Sequence, residues 1–124
     1  MRFVALTTCS QPDATLRLEQ SQARRIGKMR LGTEHLFISS GLRVYYVPYR
    51  EIHRYFRRVV SVPAKLCCGK GNLSMEHLVI CGESGELAQV QLPGTRAAKA
   101  VMACMAQLAP DAAVGKPTQE TNDA

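Results

Sequence analysis

Apolar and polar positions along the chain divide it into short segments of strand texture, followed by one segment of helical periodicity. Ile26, Met29 and Leu31 precede a Gly32-Thr33 break, and the run His35-Leu36-Phe37-Ile38-Ser39 follows, so the two pieces read as a hairpin. Ser40-Gly41 gives a tight-turn signal. Leu42-Arg43-Val44-Tyr45-Tyr46-Val47 then carries the β-branched and aromatic content of a strand, which Pro48 ends because proline lacks the amide donor of a ladder. Met75 to Cys81 and Glu86 to Leu92 read as two further strands joined by the polar loop Gly82-Glu83-Ser84-Gly85. Val62-Pro63 is expected to break the chain, with a short strand over Ala64 to Cys68 and a turn at Gly69 to Asn72.

The clearest helix lies over Ala97 to Ala109. It is dense in good helix formers, has Thr95 as the expected N-cap, and carries Ala98, Val101, Met102, Met105 and Leu108 as one stripe that reads as core. Beyond Pro110, the segment 111–124 has Val114 as its only large apolar residue and is expected to be a flexible tail. Met1 to Cys9 is shorter than a secretory apolar region and has no cleavage pattern, so it is expected to be an early strand or ordered arm of a cytoplasmic protein. Leu16 to Arg25, with few apolar positions, leaves helix and extended arm equally open. Tyr49 to Val60 contains competing periods. Ile52, Tyr55, Phe56, Val59 and Val60 make a helical stripe, while strand alternation places Arg54 and Arg58 among Ile52, Phe56 and Val60; taken alone the pattern favours helix.

Length implies a single domain over 1–110, since smaller pieces would need disulfides or metals to be stable. Apolar residues make up 46% and charged residues 21%, a globular composition, and no apolar run reaches bilayer-spanning length. Five cysteines at irregular spacing fit free thiols in a reducing compartment better than a disulfide framework. The net charge of +6 is unevenly placed: residues 1–62 hold 11 Lys or Arg against 4 Asp or Glu, and residues 63–124 hold 5 against 6. That imbalance favours anionic partners.

Candidate chemistry is sparse. Gly82-Glu83-Ser84-Gly85 lacks the spacing of a nucleophile elbow, and Gly69-Lys70-Gly71 lacks the frame of a phosphate loop. Cys67, Cys68, His77 and Cys81 carry zinc-ligand chemistry, but adjacent cysteines on a strand point to opposite faces. His35, His53 and His77 fall in strands or at their rims and read as structural. The remaining candidate is the basic segment Arg50, His53, Arg54, Arg57 and Arg58, interleaved with Tyr49, Tyr55 and Phe56, which could dock an anionic ligand or form a solvated face. No DNA-reading motif is present, so nucleic acid is not an expected partner.

The strand order, the run Leu31-Gly32-Thr33-Glu34-His35-Leu36-Phe37-Ile38, the step Val47-Pro48-Tyr49-Arg50-Glu51-Ile52 and the terminal helix resemble bacterial members of the pleckstrin-homology-like superfamily over residues 24–109. The resemblance implies a mainly β, α+β fold: a curved antiparallel sheet or partly open barrel of about seven strands capped by one C-terminal helix. It also implies strand rather than helix after Ile52. Function in the superfamily is binding, so the expectation is a non-catalytic module, without cofactor, that docks an acidic protein or anionic ligand. Peripheral association with an anionic membrane surface is the alternative, and a small metal-binding or enzymatic protein a further one. Lipid-headgroup recognition is not carried over, because Lys28-Met29-Arg30 stands without the second basic cluster such a site uses.

Overall fold

The computed structural model describes residues 2–8, 10–66 and 69–115, and for residues 62–66 and 69–73 the backbone only. Strand β1 (Arg2–Ala5) leads into helix α1 (Asp13–Gln22). Four strands follow: β2 (Arg24–Ile26), β3 (Met29–Leu31), β4 (His35–Ser40) and β5 (Arg43–Pro48). A single 3₁₀ turn (Tyr49–Glu51) leads to β6 (Arg54–Leu66), β7 (Gly69–Cys81), β8 (Glu86–Leu92), helix α2 (Thr95–Leu108) and β9 (Ala113–Val114).

The protein is mostly β, with two sheets among the described residues. One has the order β1-β5-β4-β3-β2 and the other β8-β7-β6-β9. Strands β2 to β8 pair antiparallel as a meander of four and a meander of three. The expected mainly β, α+β class stands, with the strands in two hydrogen-bonded sheets rather than one, and β1 on β5 and β9 on β6 are parallel additions that local alternation does not encode. Tight turns close the first meander, with Gly27 at φ +59° and Gly41 at φ +62°, conformations open to glycine at little cost.

The main core lies between the layers. Leu31, Leu36, Val47 and Ile52 meet Tyr55, Leu78, Ile80 and Val90, and α2 contributes Ala98, Val101 and Met105 from the stripe read in the sequence. A smaller cluster on the opposite face of the first sheet, Phe37, Val44 and Tyr46, is covered by α1 through Leu16. Leu16 is the one apolar anchor that α1 buries, which is why its sequence did not declare a helix.

Several boundaries differ from expectation. The chain does not break at Val62-Pro63, and Gly69 to Asn72 is not a turn: β6 and β7 stay paired from Arg54–Cys81 to Leu66–Gly69. The carbonyls of His53 and Tyr55 point away from β7 toward β9, so by strand alternation the nitrogen of Pro63 also faces that outer edge, where no ladder bond is lost. The cap of α2 is Gly94, at φ +135° and without a side-chain hydrogen bond, so Thr95 lies inside the first turn instead. The loose tail expected from Asp111 is corrected at its start, since Ala113 N–H donates to His53 O and Gly115 N–H to Tyr55 O. The rest of that segment, 116–124, lies outside the described residues, as do Cys9, Cys67 and Cys68. Among the described residues no helix is long and apolar enough to cross a membrane.

Candidate functional site

Strand β6 separates the basic segment read from the sequence. Tyr55 is buried in the main core, and Arg57, two positions on, turns toward Glu76, donating from Nε at 3.1 Å and Nη2 at 2.8 Å to Oε1. The even positions of the strand, Arg54, Phe56 and Arg58, face the far side of the second sheet. There Phe56 packs with Val79 and Cys81. Arg58 lies over the Phe56 ring, 5.5 Å from its centroid, and donates to Glu86 Oε1 at 2.8 Å and to Gln89 Oε1. Thus His53, Arg54 and Arg58 share an open-sided cavity of about 560 Å³ with Phe56 and the loop 82–86. Arg57 does not reach it, and Arg50 lies on the 3₁₀ turn beside the end of α2.

This cavity is nearly balanced in charge, because Glu83 and Glu86 line it with the cations and Arg54 donates to Gly115 O at 3.0 Å. Burial pushes the Cys81 thiol up, Glu86 adds to the shift, and Arg54 and Arg58 oppose it, so the thiol is a poor nucleophile. Among the described residues no group of three or more His, Cys, Asp or Glu side chains is placed to hold a metal ion. His77 Nδ1 instead lies 3.2 Å from Met75 O.

The unbalanced basic charge lies on the first sheet. Arg24, Arg25, Lys28 and Arg30 occupy the β2–β3 hairpin, and no carboxylate pairs with any of them among the described residues. Arg24 reaches toward α2, where Nη1 is 3.2 Å from Cys104 Sγ. Arg25 and Arg30 are directly opposite in the β2–β3 register, on the face that carries α1. Arg30 Nη1 approaches Gln20 O near the helix C-terminus at 3.5 Å, and Arg25 Nε approaches Gly27 O at 3.4 Å. Like charges opposite each other on adjacent strands oppose folding, so an anion placed across them would be bound favourably. The surplus of cations in the first half of the chain was legible in the sequence, but the facing of Arg25 and Arg30 depends on a turn at Gly27-Lys28 that the sequence reading did not place.

A buried polar contact was also missed. Glu19 on α1 reaches the β3–β4 turn, where Oε2 accepts from the amides of Glu34 (2.8 Å) and His35 (2.7 Å), and Oε1 lies 2.7 Å from His35 Nδ1. With a carboxylate as acceptor, Nδ1 carries the proton. Tyr49 Oη donates to Gly32 O at 2.7 Å beside it. Burial, reinforced by Glu19 and Cys104, holds the Tyr49 phenol well above its ordinary range. Although a Glu–His pair could orient a general base, the nitrogen such a base would use, Nε2, is buried with no hydrogen-bond partner among the described residues, and the ring sits against Phe37 and Tyr46. The cavity beside Glu19 is lined by Thr15, Gln22 and Arg24 but not by His35. The pair ties α1 to the first sheet.

No protein-family model, curated protein or solved structure matches the chain.

Proposed function

We propose that this chain is a non-catalytic interaction module of pleckstrin-homology-like type, which docks an acidic protein surface on the β2–β3 hairpin of the first sheet. The strand order supports the class: a meander of four strands, a meander of three and a helix at the end. The observation that carries the function is the cross-strand pair Arg25–Arg30, flanked by Arg24 and Lys28, with no carboxylate partner among the described residues. The segment 50–58 plays a lesser part, because Arg57 and Arg58 are held by Glu76 and Glu86.

Polyglutamate serves as the probe, with binding followed by fluorescence anisotropy at rising salt. The wild-type chain binds at low salt, and binding fades as ionic strength shortens the screening length to about 10 Å and below. The pair R25E/R30E weakens binding at least tenfold with an unchanged melting temperature. Absence of binding at low salt, or binding that the double reversal leaves untouched, refutes the reading. Co-sedimentation with phosphatidylserine vesicles without polyglutamate binding would replace the acidic protein with a membrane surface.

A further inference from the structure

Helix α1 lies over the face of the first sheet that carries Arg25 and Arg30, and its hold there is slight. It is 10 residues long, a length at which an isolated helix is marginal in water, and Pro12 at its N-cap gives no side-chain bond. Leu16 is its buried apolar anchor, set among Phe37, Val44 and Tyr46. Polar contacts supply the rest. Gln11 N–H donates to Tyr46 Oη at 3.2 Å, and Glu19 closes on the β3–β4 turn. At the C-terminal end Gln20 O accepts from the amide of Ala23 at 3.2 Å and from Arg30 Nη1 at 3.5 Å. Ala23, in extended conformation, is the single residue between α1 and β2. The two opposed cations are therefore unequally presented: Arg25 is exposed, whereas Arg30 is half-buried against the end of the helix.

From these contacts we infer, on the basis of the docking proposed above, that α1 is a displaceable cover over the cation pair. An acidic partner draws Arg30 away from Gln20 O, and α1 swings off the sheet about Ala23. In the closed form the Arg30 guanidinium serves the carbonyl end of the helix, whose partial negative charge stands where a partner carboxylate would. In the open form both guanidinium groups face the partner. The amides of Glu34 and His35, and Nδ1 of His35, then meet water in place of Glu19. The movement stops short of unfolding, because the main core between the sheets draws nothing from α1 and stays whole. Linkage makes the effect reciprocal: a partner that favours the open form binds more tightly to a chain whose α1 is already loosened.

Native-state hydrogen exchange of the full chain, read at single amides by NMR with and without saturating polyglutamate at low salt, tests the cover. Leu16 N–H bonds to Pro12 O within the helix, and the amides of Glu34 and His35 bond to Glu19, so these three report its opening. With the probe bound, their exchange quickens at least about fivefold, while the β6–β7 ladder keeps its rates. Leu16→Ala and Leu16→Val leave every charge in place and loosen the anchor. Each raises the affinity for polyglutamate at least about fivefold. If Leu16→Ala fails to fold, Leu16→Val decides. Polyglutamate that binds while the three amides keep or slow their exchange, or that binds the Leu16 variants no more tightly than the wild type, overturns the cover and leaves the docking proposal standing. No binding at all removes both.

Discussion

The carboxylate of Glu19 meets His35 across sixteen residues of chain, and the contact secures α1 to the first sheet where Leu16 alone supplies apolar anchorage. Oε2 of the same carboxylate accepts two backbone amides, so one side chain closes the β3–β4 turn as well. Removing it leaves a buried imidazole N–H and two amides without their acceptor. Glu19→Ala is expected to cost about 2–4 kcal/mol in urea unfolding, with loss of exchange protection at the amides of Glu34 and His35.

Gly32 is coupled to this contact. A Cβ at Gly32 would clash with Glu19 Oε2, so Gly32→Ala displaces the carboxylate. Its cost is expected to overlap with that of Glu19→Ala. The double variant should therefore be more stable than the sum of the single losses implies, by at least about 0.5 kcal/mol.

The Tyr49 phenol links stability to alkaline pH. Its folded pKa stands above the unfolded value of 10.0, chiefly through burial. The stabilising contribution is complete below the unfolded value and declines as pH rises through it, when the unfolded chain loses a proton that the folded chain retains. Tyr55, also raised by burial, acts in the same direction. Urea midpoints are expected to fall as pH rises above the unfolded value, and Tyr49→Phe to flatten that fall. At neutral pH the same variant is less stable by about 1–2 kcal/mol, because Gly32 O loses its donor.

Arg58 and Glu86 separate cover from charge. The ion pair is partly exposed, so Glu86→Gln should change unfolding free energy by less than about 0.5 kcal/mol. Arg58→Ala removes the aliphatic stem and guanidinium plane from Phe56 and is expected to cost about 1 kcal/mol or more.

Thiol accessibility distinguishes the two described cysteines. Cys81 is buried and its pKa is raised, whereas Cys104 is partly accessible on α2. Iodoacetamide at mildly alkaline pH, followed by peptide mapping, should modify Cys104 at least several-fold faster than Cys81.

Legibility of the sequence followed how each segment is buried. The α2 stripe was plain, since Ala98, Val101 and Met105 repeat on one face against one core. Strand β6 was ambiguous for a definite reason: Tyr55 packs between the sheets while its neighbour Phe56 packs on the far side with Val79 and Cys81, so apolar residues lie on both faces and imitate a helical period. Helix α1 gave almost no signal because its hold on the sheet is one leucine and one carboxylate. The basic site was read at Arg50 to Arg58 from density of charge along the chain. Strand alternation divided that run, and pairing across the Gly27 turn brought Arg25 and Arg30 together instead.

The two parallel strands also set an order of assembly. Each antiparallel neighbour is reached through a short reversal, but β1 finds β5 across about forty residues and β9 finds β6 across about sixty, and closing such distances carries a larger entropic penalty. The meanders can therefore form early while both flanking strands attach last. Thermal opening should retrace this path, with the margins detaching while the central ladders still hold.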